Sequence, residues 1–297
     1  MMDQEWTSLQ TESWNQTIPD LGTLTSLEIV RIMNAADATV APAVEAVLPE
    51  IAQAIDVTVE RFREGGRLFY VGAGTSGRLG ILDAAECPPT FNTPPEMVQA
   101  VIAGGTEAIF RAREGAEDNR VQAGADLEAL GVEAGDVVVG ISASGSTPYV
   151  MGALQWAKAH GVLAISVSCN PNPDVAPMSD ITIAINTGPE VLMGSTRLKA
   201  GTAQKMVLNM LSTGSMVGLG KTYRNLMVDM RPTNRKLKAR SVRIVALAAD
   251  VGLDQARQLL EAGGGDTKVA IAMALLGTTA QEARARLKSS GGQLGRL

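Results

Sequence analysis

The chain has 297 residues, which is long enough for one large α/β domain with a small appendage and a sizeable hydrophobic core. Its composition, 45% hydrophobic and 19% charged with 31 glycines, excludes disorder over most of the length and is typical of helices and strands joined by tight turns. A net charge of −5 without any block of Lys and Arg argues against a nucleic acid or an anionic membrane as partner, so a bound phosphate must be recognised by local groups.

The cysteines and the first residues indicate a cytoplasmic protein. Cys87 and Cys169 are far apart, and neither belongs to a CxxC pair. The first ten residues, MMDQEWTSLQ, lack the basic and apolar regions of a signal peptide, and the apolar runs elsewhere are too short to cross a bilayer. We therefore expect a cytoplasmic location and no membrane role.

The N-terminal part predicts an arm followed by helices. The residues through about Gly22 are polar, and apolar positions with helical spacing begin at Leu24. A longer helix is predicted over residues 41–63, where apolar side chains fall on one side and Gly65 and Gly66 end the pattern. This helix is expected to lie against a sheet.

Two strand–loop–helix units follow. RLFYVGAG, from Arg67, is a short apolar run that ends in glycines, and SGRLGILDAAE continues it as a helix. DVVVGISASGSTPYVMGALQWAKAHG, from Asp136, repeats the same order. Further strands are predicted over residues 98–103, 162–168 and 181–185. This alternation predicts a layered α/β sandwich with a parallel sheet of about five strands.

The C-terminal part predicts helices only. A long helix is expected over residues 200–217, and no strand pattern follows Ser241. The expected C-terminal helices lie at residues 243–251, 254–261, 267–276 and 280–288. We expect the Gly-rich end after them to fray. The predicted division is a domain at residues 1–240, which includes the arm, and a small helical domain at residues 241–297.

The loop of residues 142–147, SASGST, predicts an anion site. It places hydroxyl groups and unpaired backbone N–H groups where a strand gives way to the N-terminus of a helix, and the positive end of the helix dipole favours phosphate there. The alternative is ordinary capping of the helix by Ser146 or Thr147. A single cap needs only one hydroxyl, so the number of hydroxyls favours phosphate.

The earlier loop, Gly72-Ala73-Gly74-Thr75-Ser76-Gly77-Arg78, resembles a dinucleotide fingerprint by spacing alone. G-x-G-x-x-G is weak by itself, and no acidic residue ends a second strand about 20 positions further on. A second loop facing a phosphosugar explains Thr75 and Ser76 better. In an open parallel sheet both loops lie at the carboxyl ends of strands, where ligands bind.

Carboxylates are the candidate acid and base groups. Glu86 lies among small and apolar neighbours in DAAECPPTF, where the two prolines that follow are expected to end the helix. Glu117 lies in REGAEDN, and its neighbours Glu114 and Asp118 are equally placed by spacing. The spacing of the residues therefore does not choose among them.

Metal ligands are scarce, because the single histidine, His160, falls at a helix end and the two cysteines are distant. We expect no metal and no redox cofactor. Arg197, Lys199 and Lys205 either face an anionic substrate or cover the start of a helix.

Several long segments together resemble the N-acetylmuramic acid 6-phosphate etherases. They occur in the same order over nearly the whole chain: VGAGTSGRLGILDAAECPPTF, IAGG, EGAED, GISASGSTPYV, GPEVLMGSTRLKAGTAQK and NLMVD. The resemblance implies a sugar-isomerase (SIS) type α/β domain, a helical C-terminal region and a homodimer with active sites near the subunit interface. It also implies a small phosphosugar as substrate.

The resemblance implies roles for particular residues. The two glutamates of the family's motifs fall on Glu86 and Glu117, which become the expected catalytic pair. The expected phosphate contacts are Ser76, Ser142, Ser144 and Thr147. Further candidate substrate contacts are Thr75, Glu190 and Lys199.

Two departures concern the arm and the wall of the pocket, because the family often has Arg at the position of Trp14 and a small hydroxyl residue at the position of Met193. Two other functions stay open. One is a non-catalytic sugar-phosphate regulator, since one fold serves many functions. The other is an aldose–ketose phosphosugar isomerase.

Overall fold

The structure is a computed structural model that describes residues 9–230, 232 and 234–297, so the first eight residues of the expected arm lie outside the described residues. The chain forms two compact units. Their bounds are Met1–Ala84 with Glu96–Leu211 for the first unit, and Ala85–Pro95 with Ser212–Leu297 for the second. The second unit thus begins earlier than the expected boundary at residue 241 and includes a short segment from the middle of the chain.

The first unit is built on a parallel sheet of five strands in the order β2-β1-β3-β4-β5, which confirms the predicted fold class. The strands are β1 Leu68–Gly72, β2 Val98–Ile102, β3 Val137–Ser142, β4 Leu163–Ser168 and β5 Ile181–Ala184. The residues of β1 and β3 are buried throughout, because helices cover both faces of a sheet of this type.

Helices precede, separate and follow the strands. Their bounds are α1 Ser26–Asp37, α2 Val40–Glu45, α3 Leu48–Arg63, α4 Gly74–Phe91, α5 Glu107–Phe110, α6 Gln122–Ala129, α7 Pro148–Ala159 and α8 Lys199–Gly218. Helix α7 packs on β3 at Gly140, where a Cβ atom would lie 2.8 Å from Val150 Cγ1 and 2.9 Å from Leu154 Cγ. This close packing fixes the position of α7, the helix that follows the loop of residues 142–147, which we call the serine-rich loop.

The predicted single helix over residues 41–63 is wrong, because the chain breaks after Glu45 and α3 starts at Leu48. Pro49 lies in the first turn of α3. A proline lacks the N–H that a continuous helix needs, and it suits a first turn, where that N–H has no partner. The buried face of α3, with Ile51 and Phe62, packs in the first unit against β5.

The predicted end of α4 before Pro88 is also wrong, because the helix continues to Phe91. Cys87 and Phe91, one turn apart, are both buried and hold the last turn in place. The N–H of Asn92 donates to the carbonyl of Pro88 at 2.9 Å, and Asn92 then ends the helix with a left-handed φ of 51°. The prolines thus remove backbone hydrogen bonds without ending the helix.

The second unit is mainly helical. Its elements beyond α8 are the two-stranded hairpin of β6 Thr222–Tyr223 and β7 Leu226–Met227, and the helices α9 Arg235–Ala249, α10 Leu253–Ala262, α11 Thr267–Leu276 and α12 Ala280–Ser289. The sequence did not predict the hairpin, and α9 begins eight residues before the expected helix, where Asn234 caps it by accepting from the N–H of Leu237 at 2.9 Å. The expected fraying of the C-terminal end is wrong as far as Leu294, which is buried in the core of this unit.

No single helix among the described residues is both long enough and apolar enough to cross a membrane. The stretches Ser26–Glu45 and Leu48–Arg63 meet those criteria only as a pair, with a bend of 60° between them.

Candidate active site

A cavity of about 300 Å³ lies in the first unit beyond the carboxyl ends of β1 and β3, where an open parallel sheet binds ligands. Its lining residues all belong to this unit: Glu12, Ala73, Gly74, Thr75, Ser76, Glu117, Asp118, Ala143, Ser144, Thr147, Pro148, Gly194 and Thr196. The cavity thus brings the two predicted loops and one of the predicted glutamates together.

Ser142 is the centre of the hydrogen bonds within the serine-rich loop. Its Oγ accepts from the N–H of Gly145 at 3.0 Å and lies 2.7 Å from Thr147 Oγ1 and 3.3 Å from Ser144 Oγ. The hydroxyl of Ser146 donates to Ser144 at 3.0 Å. Ser142 itself is buried, so it holds Ser144 and Thr147, which line the cavity, in place.

Thr147 is the N-cap residue of α7, but its side chain makes no capping hydrogen bond. The hydroxyl of Thr147 therefore does not cap the helix, which was the alternative to a role in binding phosphate. Tyr149, in the first turn, donates to Asp126 at 2.5 Å and is fully buried. Burial, together with this hydrogen bond to a carboxylate, raises the pKa of Tyr149, so the phenol stays protonated and anchors the start of the helix.

The glycine-rich loop owes its shape to close packing. A Cβ atom on Gly77 would lie 2.6 Å from Ile102 Cγ1 and 2.8 Å from the carbonyl oxygen of Gly72. Glycine at this position lets the first turn of α4 approach the strands. Ser76, the residue before Gly77, lines the cavity, and its hydroxyl donates to Gln204 Oε1 on α8 at 2.9 Å.

Glu117 lies in a short 3₁₀ turn, Ala116–Asp118, and lines the cavity. It also lines a neighbouring cavity of about 180 Å³, which Glu114 shares. Asp118 lines only the larger cavity of the two. Position therefore separates the three carboxylates that spacing alone left equal, and only Glu117 reaches both cavities.

Glu86 lies on the part of α4 that belongs to the second unit. Its side chain is exposed, although Cys87 beside it is buried. The carboxylate of Glu86 therefore lies on the exposed side of α4, where it is accessible to a ligand.

Glu190 and Lys199, two further candidate contacts, have partners inside the protein. The carboxylate of Glu190 accepts from the N–H groups of Lys199 and Ala200 at 3.0 Å each, so it caps the N-terminus of α8. Burial raises the pKa of Glu190, and these two bonds oppose the rise. The ammonium group of Lys199 donates to the carbonyl of Thr187 at 2.7 Å. Neither side chain lines the cavity.

Glu12 also lines the cavity, although no sequence pattern predicted it as a site residue. It lies in the arm, far from either loop in the chain. A tertiary contact of the neighbouring Thr11 with Asn170, 159 residues away, holds this part of the arm near the loops, and no local sequence pattern reveals such a contact.

The described part of the chain holds no group of three or more His, Cys, Asp or Glu side chains that could hold a metal ion. His160 stacks on Trp156, with ring centroids 4.1 Å apart.

Comparison with known families defines the class of the protein. Residues 122–214 match the model of the SIS domain, and residues 50–158 match that of the glucokinase regulatory protein N-terminal SIS domain. The parallel sheet and the cavity at the carboxyl ends of its strands thus form a SIS domain.

Individual relatives define the family. The chain is 53% identical to N-acetylmuramic acid 6-phosphate etherase 2 of Vibrio cholerae, over 97% of this chain and 94% of that protein. It is 56% identical to N-acetylmuramic acid 6-phosphate etherase of Symbiobacterium thermophilum, over 92% of this chain and 91% of that protein. It is 52% identical to N-acetylmuramic acid 6-phosphate etherase of Rhodopirellula baltica, over 97% of this chain and 96% of that protein. The chain belongs to the N-acetylmuramic acid 6-phosphate etherase family.

Proposed function

We propose that the protein cleaves the lactyl ether of N-acetylmuramic acid 6-phosphate and releases N-acetylglucosamine 6-phosphate and D-lactate. It is a carbon–oxygen lyase of cell-wall amino sugar catabolism. The observation that carries the proposal is the identity of 53% with an etherase over 97% of the chain, together with a cavity lined by a hydroxyl-rich loop and a carboxylate.

The serine-rich loop binds the phosphate group in this proposal. Ser144 and Thr147 supply hydroxyl donors from the cavity wall, and buried Ser142 fixes both of them. The N-terminus of α7 adds the favourable end of its dipole. Ser76, at the start of α4, lines the same cavity from the other loop and is proposed as a further contact of the phosphate. Because the phosphate is held at one end of the sugar, the reacting carbons are oriented in the remaining space.

The chemistry is an elimination followed by an addition. In the open-chain sugar the C2 proton is acidic because it lies beside the aldehyde, and the lactyl ether on C3 lies β to that group. A base removes the C2 proton, its electron pair forms the C2–C3 double bond, and the C3–O bond breaks as an acid protonates the leaving lactate oxygen. Water then adds to C3 and a proton returns to C2. The net reaction consumes one water molecule, and no electrons are gained or lost.

Glu86 and Glu117 are the catalytic carboxyl groups in this scheme. We assign to Glu86 the proton that goes to lactate and then the activation of water, and to Glu117 the assistance in removing the C2 proton. The position of Glu117 in the cavity wall and the accessible carboxylate of Glu86 support the assignment. Thr75 lines the same cavity and is proposed as a further substrate contact.

The test is the release of D-lactate from N-acetylmuramic acid 6-phosphate by the purified protein and by its Glu86→Ala and Glu117→Ala variants. Glu114→Ala is the matched control, because Glu114 lies in the same loop as Glu117 but lines only the neighbouring cavity. We expect release by the wild type and the control, and a collapse of release in the two other variants while they remain folded. Phosphosugar binding without lactate release would favour a regulator, and a ketose product would favour an isomerase.

We also propose that the protein is a cytoplasmic homodimer that uses small phosphosugars and neither nucleic acid nor membrane. Cys87 and Cys169 are both buried and are not joined in a disulfide, which suits a reducing compartment. Light scattering on the purified protein tests the dimer, and a mass of 31.0 kDa, that of one chain, would contradict it.

A further inference from the structure

The arm contributes an acidic side chain to the cavity that the phosphate loops and the catalytic pair do not account for. Glu12 ends a 3₁₀ turn, Gln10–Glu12, and lines the cavity together with Ser144, Thr147 and Glu117. No hydrogen bond or ion pair holds its carboxylate within the described residues. A carboxylate in a cavity wall without such a partner is available to a ligand.

Hydrogen bonds fix the position of Thr11, the residue before Glu12. Thr11 is fully buried, and its N–H donates to Asn170 Oδ1 at 3.3 Å. The Nδ2 atom of Asn170 donates in return to Thr11 Oγ1 at 3.0 Å, and also to the carbonyl oxygens of Ser144 at 2.9 Å and Ala143 at 3.3 Å. Asn170 thus connects the arm to the backbone of the serine-rich loop. The position of Glu12 is therefore fixed relative to the loop that we propose to bind phosphate.

A glycine bounds the cavity beside the carboxylate. A Cβ atom added to Gly194 would lie 3.4 Å from Glu12 Oε2, so a side chain at this position would contact that oxygen. With no side chain at Gly194, a ligand group can approach that oxygen.

Charge decides which part of a ligand Glu12 contacts. An ionised carboxylate repels phosphate and accepts hydrogen bonds only, so it pairs with hydroxyl or amide N–H donors. An amino sugar carries both kinds of donor on its carbon chain. We propose that Glu12 is a substrate-binding residue, which accepts hydrogen bonds from the hydroxyl or amide N–H groups of the amino sugar while the serine-rich loop holds the phosphate. This inference rests on the proposed function.

The experiment compares two ligands by isothermal titration calorimetry: N-acetylglucosamine 6-phosphate and inorganic phosphate. The variants are Glu12→Ala and Glu12→Gln, with Glu45→Ala as the control at an exposed glutamate of α2. Hydrogen bonds to a charged group predict that Glu12→Ala weakens binding of the phosphosugar by about 10- to 100-fold. Binding of inorganic phosphate should stay unchanged or become tighter, because a like charge is removed. Glu12→Gln keeps one acceptor oxygen and should lose less.

Thr11→Val tests whether the hydrogen bond between Thr11 and Asn170 positions Glu12. Valine keeps the shape of threonine but removes the Oγ1 acceptor, while Asn170 retains its bonds to the serine-rich loop. We expect a smaller loss of the same kind, confined to the phosphosugar. Asn170→Ala removes the bonds to the loop as well and should weaken both ligands.

Several outcomes would overturn the inference. Unchanged phosphosugar binding by Glu12→Ala would do so, as would an equal loss for both ligands, because the role of Glu12 would then be structural. A wild-type protein that does not bind the phosphosugar would also overturn it. Failure of the proposed function is distinguishable, because a wild type that binds the phosphosugar but releases no lactate contradicts the etherase reaction and leaves the calorimetric comparison intact.

Discussion

Replacement of Ser142 by alanine tests whether this buried hydroxyl organises the serine-rich loop. The change leaves the buried N–H of Gly145 without its acceptor, which costs about 1–3 kcal/mol, and removes the 2.7 Å bond to Thr147, worth about 1 kcal/mol. We therefore expect the free energy of unfolding to fall by about 2–4 kcal/mol. Because Ser144 and Thr147 lose their common partner, KM for the phosphosugar should rise about tenfold or more, as one lost hydrogen bond of about 1.4 kcal/mol would produce.

Urea unfolding and steady-state kinetics measure the two effects on the same preparation. Ser179→Ala is the matched control, since this hydroxyl donates one bond to the carbonyl of Val175 at 2.9 Å. The control should lose about 1 kcal/mol of stability and keep its KM. If Ser142→Ala lost no more stability than the control and kept its KM, the central role of Ser142 would be refuted.

Three further predictions follow from single residues. Glu117→Gln should lower kcat by about 10²- to 10⁴-fold with little change in KM, as measured by lactate release, and a fall below tenfold would contradict a catalytic role. Gly77→Ala should cost about 1–3 kcal/mol in urea unfolding, because its Cβ would lie 2.6 Å from Ile102 Cγ1 and 2.8 Å from the backbone carbonyl oxygen of Gly72, whereas wild-type stability would refute the packing argument. Burial raises the pKa of Glu190, so the folded state binds more protons than the unfolded state, and stability should fall as the pH rises above about 4.5 through the raised pKa. Glu190→Gln removes this titration and should show a flatter dependence of the urea midpoint on pH; identical slopes would count against it.

The sheet was predictable because its strands are buried on both faces. Such strands appear as continuous apolar runs, as in β3 Val137–Ser142, and the glycine-rich or serine-rich loops that follow β1 and β3 mark their ends. The ends of several helices were not predictable. Proline is a strong local signal, yet the buried side chains of Cys87 and Phe91 keep α4 helical past two prolines. Tertiary packing outweighed the local preference there.

The place of the loop of residues 142–147, between the end of β3 and the start of α7, was predictable because the change from strand to helix is a local pattern. Contacts between distant residues were not. Ser76 bonds to Gln204, 128 residues away, and Glu12 reaches the cavity through a contact that spans 159 residues. Glu190 shows the opposite case, because the sequence suggested a substrate contact while the carboxylate caps α8. Sequence patterns show which residues are polar, and the fold decides whether they face a ligand or the backbone.

The most direct test of the proposed reaction follows isotopes from solvent into the products. The protein would be incubated with N-acetylmuramic acid 6-phosphate in water enriched in ¹⁸O and deuterium, and the products examined by NMR and mass spectrometry. Elimination and addition predict that ¹⁸O appears at C3 and deuterium at C2 of N-acetylglucosamine 6-phosphate, while D-lactate keeps the original ether oxygen. Solvent ¹⁸O in the hydroxyl group of lactate would show that the other C–O bond breaks, and the absence of lactate would contradict the etherase function itself.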